Sequence, residues 1–124
     1  MELDSMPDLY FYTEKLLEEV NQCQDRFLSG EKPEKNRAFF EEIRKEADAT
    51  FQLLDGWVEQ ATIVVEQKEI KVLHLQQIEA TKENVESLVL HSYYKDTRKR
   101  RFIEIYKSCY YIFAQVLNEL EENK

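Results

Sequence analysis

Glu31 and Glu34 stand three residues apart, as do Glu83 and Glu86, a spacing that puts two carboxylates on one helical face. An all-helical nucleotide pyrophosphohydrolase pairs such a Glu-x-x-Glu with a later Glu-x-x-Asp to hold magnesium. No aspartate in this chain has a glutamate three positions before it, so the second half is missing. A di-iron carboxylate bundle needs Glu-x-x-His, but Lys71 and Leu88 occupy the required positions ahead of His74 and His91. Two histidines in all exclude a three-histidine metal site. The Arg-x-x-x-x-His pattern of one ribonuclease class would need arginine where Glu69 and Glu86 stand. Two isolated glycines make no phosphate-cradling loop. No metal and no cofactor is expected.

The nucleophile candidates are as bland. Cys23 and Cys109 are 86 positions apart, which is neither a metal nor a redox spacing. Both fall on apolar stripes, where cysteine behaves as a small hydrophobe. His74 falls in a connection, where a cap or surface role is expected. His91 adjoins the stripe residue Ser92 and reads as a packed, hydrogen-bonded histidine. Trp57 and the Phe/Tyr set read as core. The sequence carries no catalytic constellation.

One stretch stands apart, "SYYKDTRKRRF" from 92 to 102. Lys95, Arg98, Lys99, Arg100 and Arg101 fall within seven residues of a chain whose formal net charge is −8. Five cations less Asp96 give this stretch +4, which leaves −12 elsewhere. Cations in the first turn of a helix oppose its partial positive charge, at about 0.3–1 kcal/mol each when exposed. Something should offset that. The structural account pairs the cluster with Asp25, Glu31, Glu34, Glu41 and Glu42 across the end of a bundle. The functional account is a binding surface formed by Tyr94, Lys95, Arg98, Lys99 and Arg100, with Tyr93 beside it. Its ligand would be an acidic or phosphorylated segment of a protein partner, or a small phosphate-like anion. The structural account weighs more in the sequence alone.

The elements that would position these residues are helices. Apolar spacings alternate between three and four almost throughout. Leu9, Thr13, Leu16, Val20, Cys23 and Phe27 form the first stripe, on a helix from about Met6 to Ser29. Ser5 is its expected cap, Pro7 lies in its first turn, and Gly30 ends it in the left-handed conformation. Helix two enters at Pro33 and carries Phe40, Ile43, Ala47, Thr50, Leu54, Trp57, Ala61 and Val64. Gly56 lies inside this pattern, a place for close approach by another helix. "KEIKVLHL" (68 to 75) breaks the phase and reads as an irregular connection, with room for a crossover. Helix three spans Leu75 to Tyr94, with Ile78, Val85, Leu88, Val89 and Ser92 inward and Lys82 at the edge. Helix four restarts after Asp96 or Thr97 as cap, on the stripe Phe102, Tyr106, Cys109, Phe113, Val116 and Leu120. With Ile103, Ile105, Tyr110, Ile112 and Leu117 added, it reads as the most buried of the four.

The totals agree with one all-α domain over 1–124, an antiparallel four-helix bundle with an irregular second connection. Charged residues make up 34% of the 124, and Gly and Pro together number four, too few to punctuate a β-rich fold. The acidic balance repels phosphate backbones and makes nucleic acid an unlikely partner. "MELDSMPDLYFY" lacks the basic and apolar regions of a signal peptide, and no apolar run reaches the ~20 residues that span a bilayer. A cytoplasmic protein with reduced thiols and no membrane attachment is expected. Oligomeric state is left open.

"LVLHSYYKDTRKRRFIEIYKS" (88 to 108) resembles the corresponding stretch of the YppE-like family, small proteins of low-GC Gram-positive bacteria. The similar positions are Ser92, an aromatic at 93, Tyr94, Lys95, Thr97, Arg98, the basic pair at 100 and 101, Phe102 and Ser108. Trp57 and "LQQIEATKENVESLV" are similar too. His91 stands where the family has glutamine, and the segment before Leu75 lacks the proline of that turn. The resemblance implies a four-helix bundle and brings no assigned activity. The reading is therefore a non-enzymatic interaction module whose contact surface is the basic end. The alternative is an enzyme or small-ligand binder with an anion pocket at that same end.

Overall fold

The computed structural model describes residues 8–30 and 32–123. They form four helices: α1 Leu9–Leu28, α2 Arg37–Glu66, α3 Leu75–Tyr94 and α4 Lys99–Glu122. α1 and α3 each pack against the other three helices, whereas α2 and α4 stand at opposite corners and meet through the rings of Trp57 and Phe113. Tyr10 Oη donates to Glu121 Oε1 at 2.7 Å, which sets the start of α1 beside the end of α4. The bundle is antiparallel and runs up, down, up, down. Since α2 packs directly on α3, the second connection is no crossover.

Capping explains where three helices start, and two starts differ from expectation. Asp8 caps α1 by accepting from Phe11 N–H at 2.9 Å. Ser5 and Pro7 lie outside the described residues. Asn36, three positions after the expected entry at Pro33, caps α2 by accepting from Phe39 N–H at 2.9 Å. α3 starts where expected: Gln77 Oε1, at N3, accepts from the His74 N–H at 2.9 Å. Gly30 takes φ +66° after Ser29, the left-handed ending foreseen for α1.

α4 is the exception. Neither Asp96 nor Thr97 caps it; Arg98 holds the N-cap position and offers no side-chain hydrogen bond. Asp96 is occupied elsewhere, bonded to Lys35.

The core follows the stripes. Leu16, Val20, Cys23, Ala61, Trp57, Val85, Phe113 and Val116 are fully buried. Trp57 meets the Phe113 ring edge-on at 5.4 Å and donates its Nε1–H to Thr13 Oγ1 at 2.9 Å. Thr13 in turn donates to the Leu9 carbonyl at 2.7 Å, so no polar atom of this buried pair is wasted. At the far end Phe27 stacks on Phe102 with centroids 4.0 Å apart. Gly56 has its expected reason: a Cβ there would overlap the Tyr12 ring of α1.

The irregular connection is held from both sides. Ile70 and Leu73 plug into the core. The Glu119 carboxylate of α4 accepts from Lys71 N–H at 2.8 Å and from Val72 N–H at 2.9 Å. Lys68 adopts φ +59° as the chain leaves α2.

α4 is not the most buried helix. Only Phe102, Cys109, Phe113 and Val116 are buried, fewer than on any other helix. Tyr110 is 45% exposed and Tyr111 61%, while Ile103, Ile105 and Ile112 are half-buried. A corner helix has neighbours on one side only, so a wide apolar face need not be covered.

Candidate functional site

The basic run sits at the end of the bundle that holds the α1–α2 and α3–α4 turns. Lys95 ends α3 in the left-handed conformation, φ +56°, with its N–H on the His91 carbonyl at 2.8 Å. Its ammonium bonds the Ser29 carbonyl at the end of α1. Lys35 Nζ reaches Asp96 Oδ1 at 2.5 Å, tying the two turns together. The Lys35 ammonium holds the Asp96 carboxyl below its ordinary pKa range, with Lys32 and His91 adding to the effect.

The expected clamp of cluster cations on facing acids is therefore not what closes this end. Among the described residues, Arg98, Lys99 and Arg101 form no ion pair, and all three are exposed. Arg100 pairs only along its own helix, with Glu104 at 3.3 Å, and stays 92% exposed. Asp25, Glu34 and Glu42 do not reach the cluster, and Glu41 pairs with Arg37 at 3.3 Å. Glu31 lies outside the described residues. The turn reverses the expected polarity: Asp96 supplies the acid, Lys35 the base, and the run that follows projects free into solvent.

The tyrosines do not join that run. Tyr94 packs its ring against Phe39 and Phe40 of α2 at 6.0 and 6.1 Å, with the Lys35 ammonium 5.8 Å from its centroid. Tyr93 Oη donates to Glu46 of α2, and burial followed by that bond raises the Tyr93 pKa. Both rings serve the α2–α3 contact rather than a stacking site beside Arg98. Of the five expected site residues, Arg98, Lys99 and Arg100 lie together on the surface; Lys95 is half-buried against the Ser29 carbonyl and Tyr94 faces inward.

One cation went unnoticed in the sequence. Arg26 of α1 donates from Nη1 to Ser92 Oγ at 2.6 Å, and its guanidinium lies 4.0 Å over the Tyr93 ring. The Ser92 hydroxyl in turn donates to the Val89 carbonyl at 2.7 Å. Cys23 Sγ is 3.9 Å from the same Nη1. The signal was Ser92 itself: a hydroxyl on a buried stripe requires a partner, and Arg26 precedes the stripe residue Phe27.

The remaining candidates carry no chemistry. Burial pushes the Cys23 thiol up to about 11 and the Cys109 thiol up to about 12, far from a reactive thiolate. His91 Nδ1 is buried and has no hydrogen-bond partner among the described residues, so the bonded histidine expected there is only half realised. No group of three metal-ligating side chains occurs among the described residues. None of the described helices is long and apolar enough to cross a membrane. Away from the basic end, a shallow open cleft of about 650 Å³ runs along the outer face of α4, from Tyr106 past Tyr110 and Tyr111 to Asn118.

Residues 13–120 match the model of a bacterial domain of unknown function, DUF1798. The uncharacterized protein YppE of Bacillus subtilis (strain 168) is 32% identical over 108 residues, covering 87% of this chain and 88% of that protein. The crystal structure of the Bacillus subtilis yppE protein superposes with a TM-score of 0.81 at 30% identity, covering 93% and 94% of the two chains. A protein of unknown function from Listeria innocua shares the fold at 22% identity, with a TM-score of 0.83 over 94% and 93%.

Proposed function

Because the chain belongs to the bacterial DUF1798 family, whose function is not known, we propose from its own surface that it is a non-enzymatic interaction module. Its contact surface is the basic end, and its partner is an acidic or phosphorylated protein segment. The observation that carries this reading is that Arg98, Lys99 and Arg101 are exposed and form no ion pair among the described residues. In a protein with net charge −8, three exposed cations with no ion-pair partner among the described residues keep their charge for an external ligand. They open α4 at an N-terminus that no side chain caps, so its first N–H groups add to the attraction for an anion. An enclosed anion pocket at this end has less support, because Tyr93 and Tyr94 are committed to Glu46, Arg26 and the α2 phenylalanines.

The test is capture from native cytosol by the native chain and by a variant with Lys95, Arg98, Lys99 and Arg100 changed to Gln. A thermal melt confirms first that the variant folds. An acidic protein held by the native chain and lost by the variant supports the proposal. Equal recovery by both chains rejects it.

A further inference from the structure

We infer that the outward face of α4 is a self-association surface, and that its occupant is the same face of a second copy of this chain. This surface shares Arg100 with the basic end but otherwise runs along α4 away from Arg98 and Lys99, and the inference does not depend on the partner proposed there.

Residues at alternating spacings of four and three make one exposed stripe along α4. Its landmarks are Arg100, Glu104, Lys107, Tyr111, Asn118 and Glu122, each exposed. It lies opposite the buried stripe of Phe102, Cys109, Phe113 and Val116, and no other helix covers it. Tyr111 is the most exposed large hydrophobic residue of those described, at 61%. Gln115 Nε2 donates to its hydroxyl at 2.9 Å, which fixes the ring on the outer face ahead of any partner. An exposed, pre-positioned tyrosine bordered by an apolar cleft is the usual form of an interface anchor.

The order of charges along the stripe selects the occupant. Tyr111 stands at the middle of the helix, with Arg100 eleven residues before it and Glu122 eleven after. Two such helices laid antiparallel about a two-fold axis at Tyr111 bring Tyr111 against its own copy. They also bring Arg100 opposite Glu122, twice over, about 16 Å to either side. Lys107 then faces the neutral Gln115, and Glu104 the neutral Asn118, so no like charges meet. The antiparallel arrangement also opposes the two helix dipoles favourably. Arg100 engages Glu104 through Nε, which leaves both terminal nitrogens for an incoming carboxylate. A surface with this internal two-fold complementarity is built for its own copy.

Sedimentation velocity of the full chain from roughly 10 µM to 1 mM tests this. A concentration-dependent dimer is expected, and Tyr111→Asp should abolish it. Arg100→Glu and Glu122→Arg should each weaken the dimer by about tenfold. An equimolar mixture of those two variants should associate about as tightly as the native chain, because every opposed pair is again acid against base. These positions are exposed, so a thermal melt should show each variant folded. A native chain that is monomeric at 1 mM overturns the inference. So does a dimer indifferent to Tyr111→Asp, or a mixture no tighter than its components. Arg98→Gln/Lys99→Gln should leave the dimer unchanged, which separates failure here from failure of the partner at the basic end.

Discussion

Arg26 of α1 reaches across the bundle to donate a 2.6 Å hydrogen bond to Ser92 of α3. A charge-assisted bond between half-buried and buried groups contributes more than a surface ion pair, about 1.5–3 kcal/mol. Arg26→Met should therefore cost about 2 kcal/mol in urea unfolding while keeping the packing of the stem. Ser92→Ala should cost a similar amount. The double variant should lose clearly less than the sum, by at least about 0.5 kcal/mol. Strict additivity would mean that the bond contributes nothing.

The second prediction concerns Gly56. Glycine within a helix costs about 1 kcal/mol relative to alanine, yet the Tyr12 ring occupies the space a Cβ would need. Gly56→Ala should thus fail to stabilise the native chain, since the ring must move outward. In a Tyr12→Ala background the same change should stabilise by about 1 kcal/mol. Equal effects in the two backgrounds would show that the ring does not decide this position.

Acid titration should single out Asp96. Its carboxyl titrates below its ordinary value of 3.8 when folded, because Lys35 favours the charged form. A depressed folded pKa stabilises at pH values above 3.8, and that contribution disappears as pH falls through the lower folded value. Asp96→Asn should accordingly be less stable than the native chain at pH 6 and equal to it near pH 2. The gap at pH 6 should narrow in 1 M salt, since both partners are partly exposed. A gap that persists at low pH would assign it to something other than the charge.

Thiol chemistry gives a fourth. Burial moves Cys23 from 9.0 to about 11, which lowers its thiolate fraction near neutral pH about a hundredfold. Cys109, at about 12, is poorer still. Both should label with an aromatic disulfide at pH 8 at least about a hundredfold more slowly in the native state than in urea. Rapid labelling of either in the folded protein would contradict its burial. The raised thiol pKa also stabilises the folded state, fully so below the unfolded value near 9, and that contribution is lost as pH rises toward the folded value of about 11.

Much of the fold was legible because buried stripes leave a simple periodic record. Leu75 to Tyr94 came out with both ends right, and Ile78, Val85, Leu88, Val89 and Ser92 all proved buried. The glycines told their stories: Gly30 a left-handed ending, Gly56 a close approach. Competition hid the rest. Asp96 is a good cap by type, but Lys35 binds it first, and no local pattern records a partner sixty-one residues away. Tyr110 counted as apolar in the pattern, although a tyrosine on a corner helix remains half in water. The basic run was visible as a cluster, whereas the absence of cross-bundle acidic partners for Arg98, Lys99 and Arg101 among the described residues required the geometry of the turn.

The close union of the first helix with the last has a consequence for how the chain is made. Phe27 stacks on Phe102, Asn21 accepts from Tyr106 at 2.6 Å, and Tyr10 meets Glu121. A ribosome releases α1 before α4 exists, so the nascent first helix waits with its Phe27 end uncovered until Phe102 emerges. Pairing its ends with α4 also closes a long loop, which slows folding relative to a bundle of sequential contacts. The native state is thus completed only once α4 has emerged, and chain stalled before Phe102 presents the apolar stripe of α1 to whatever chaperone or protease meets it first.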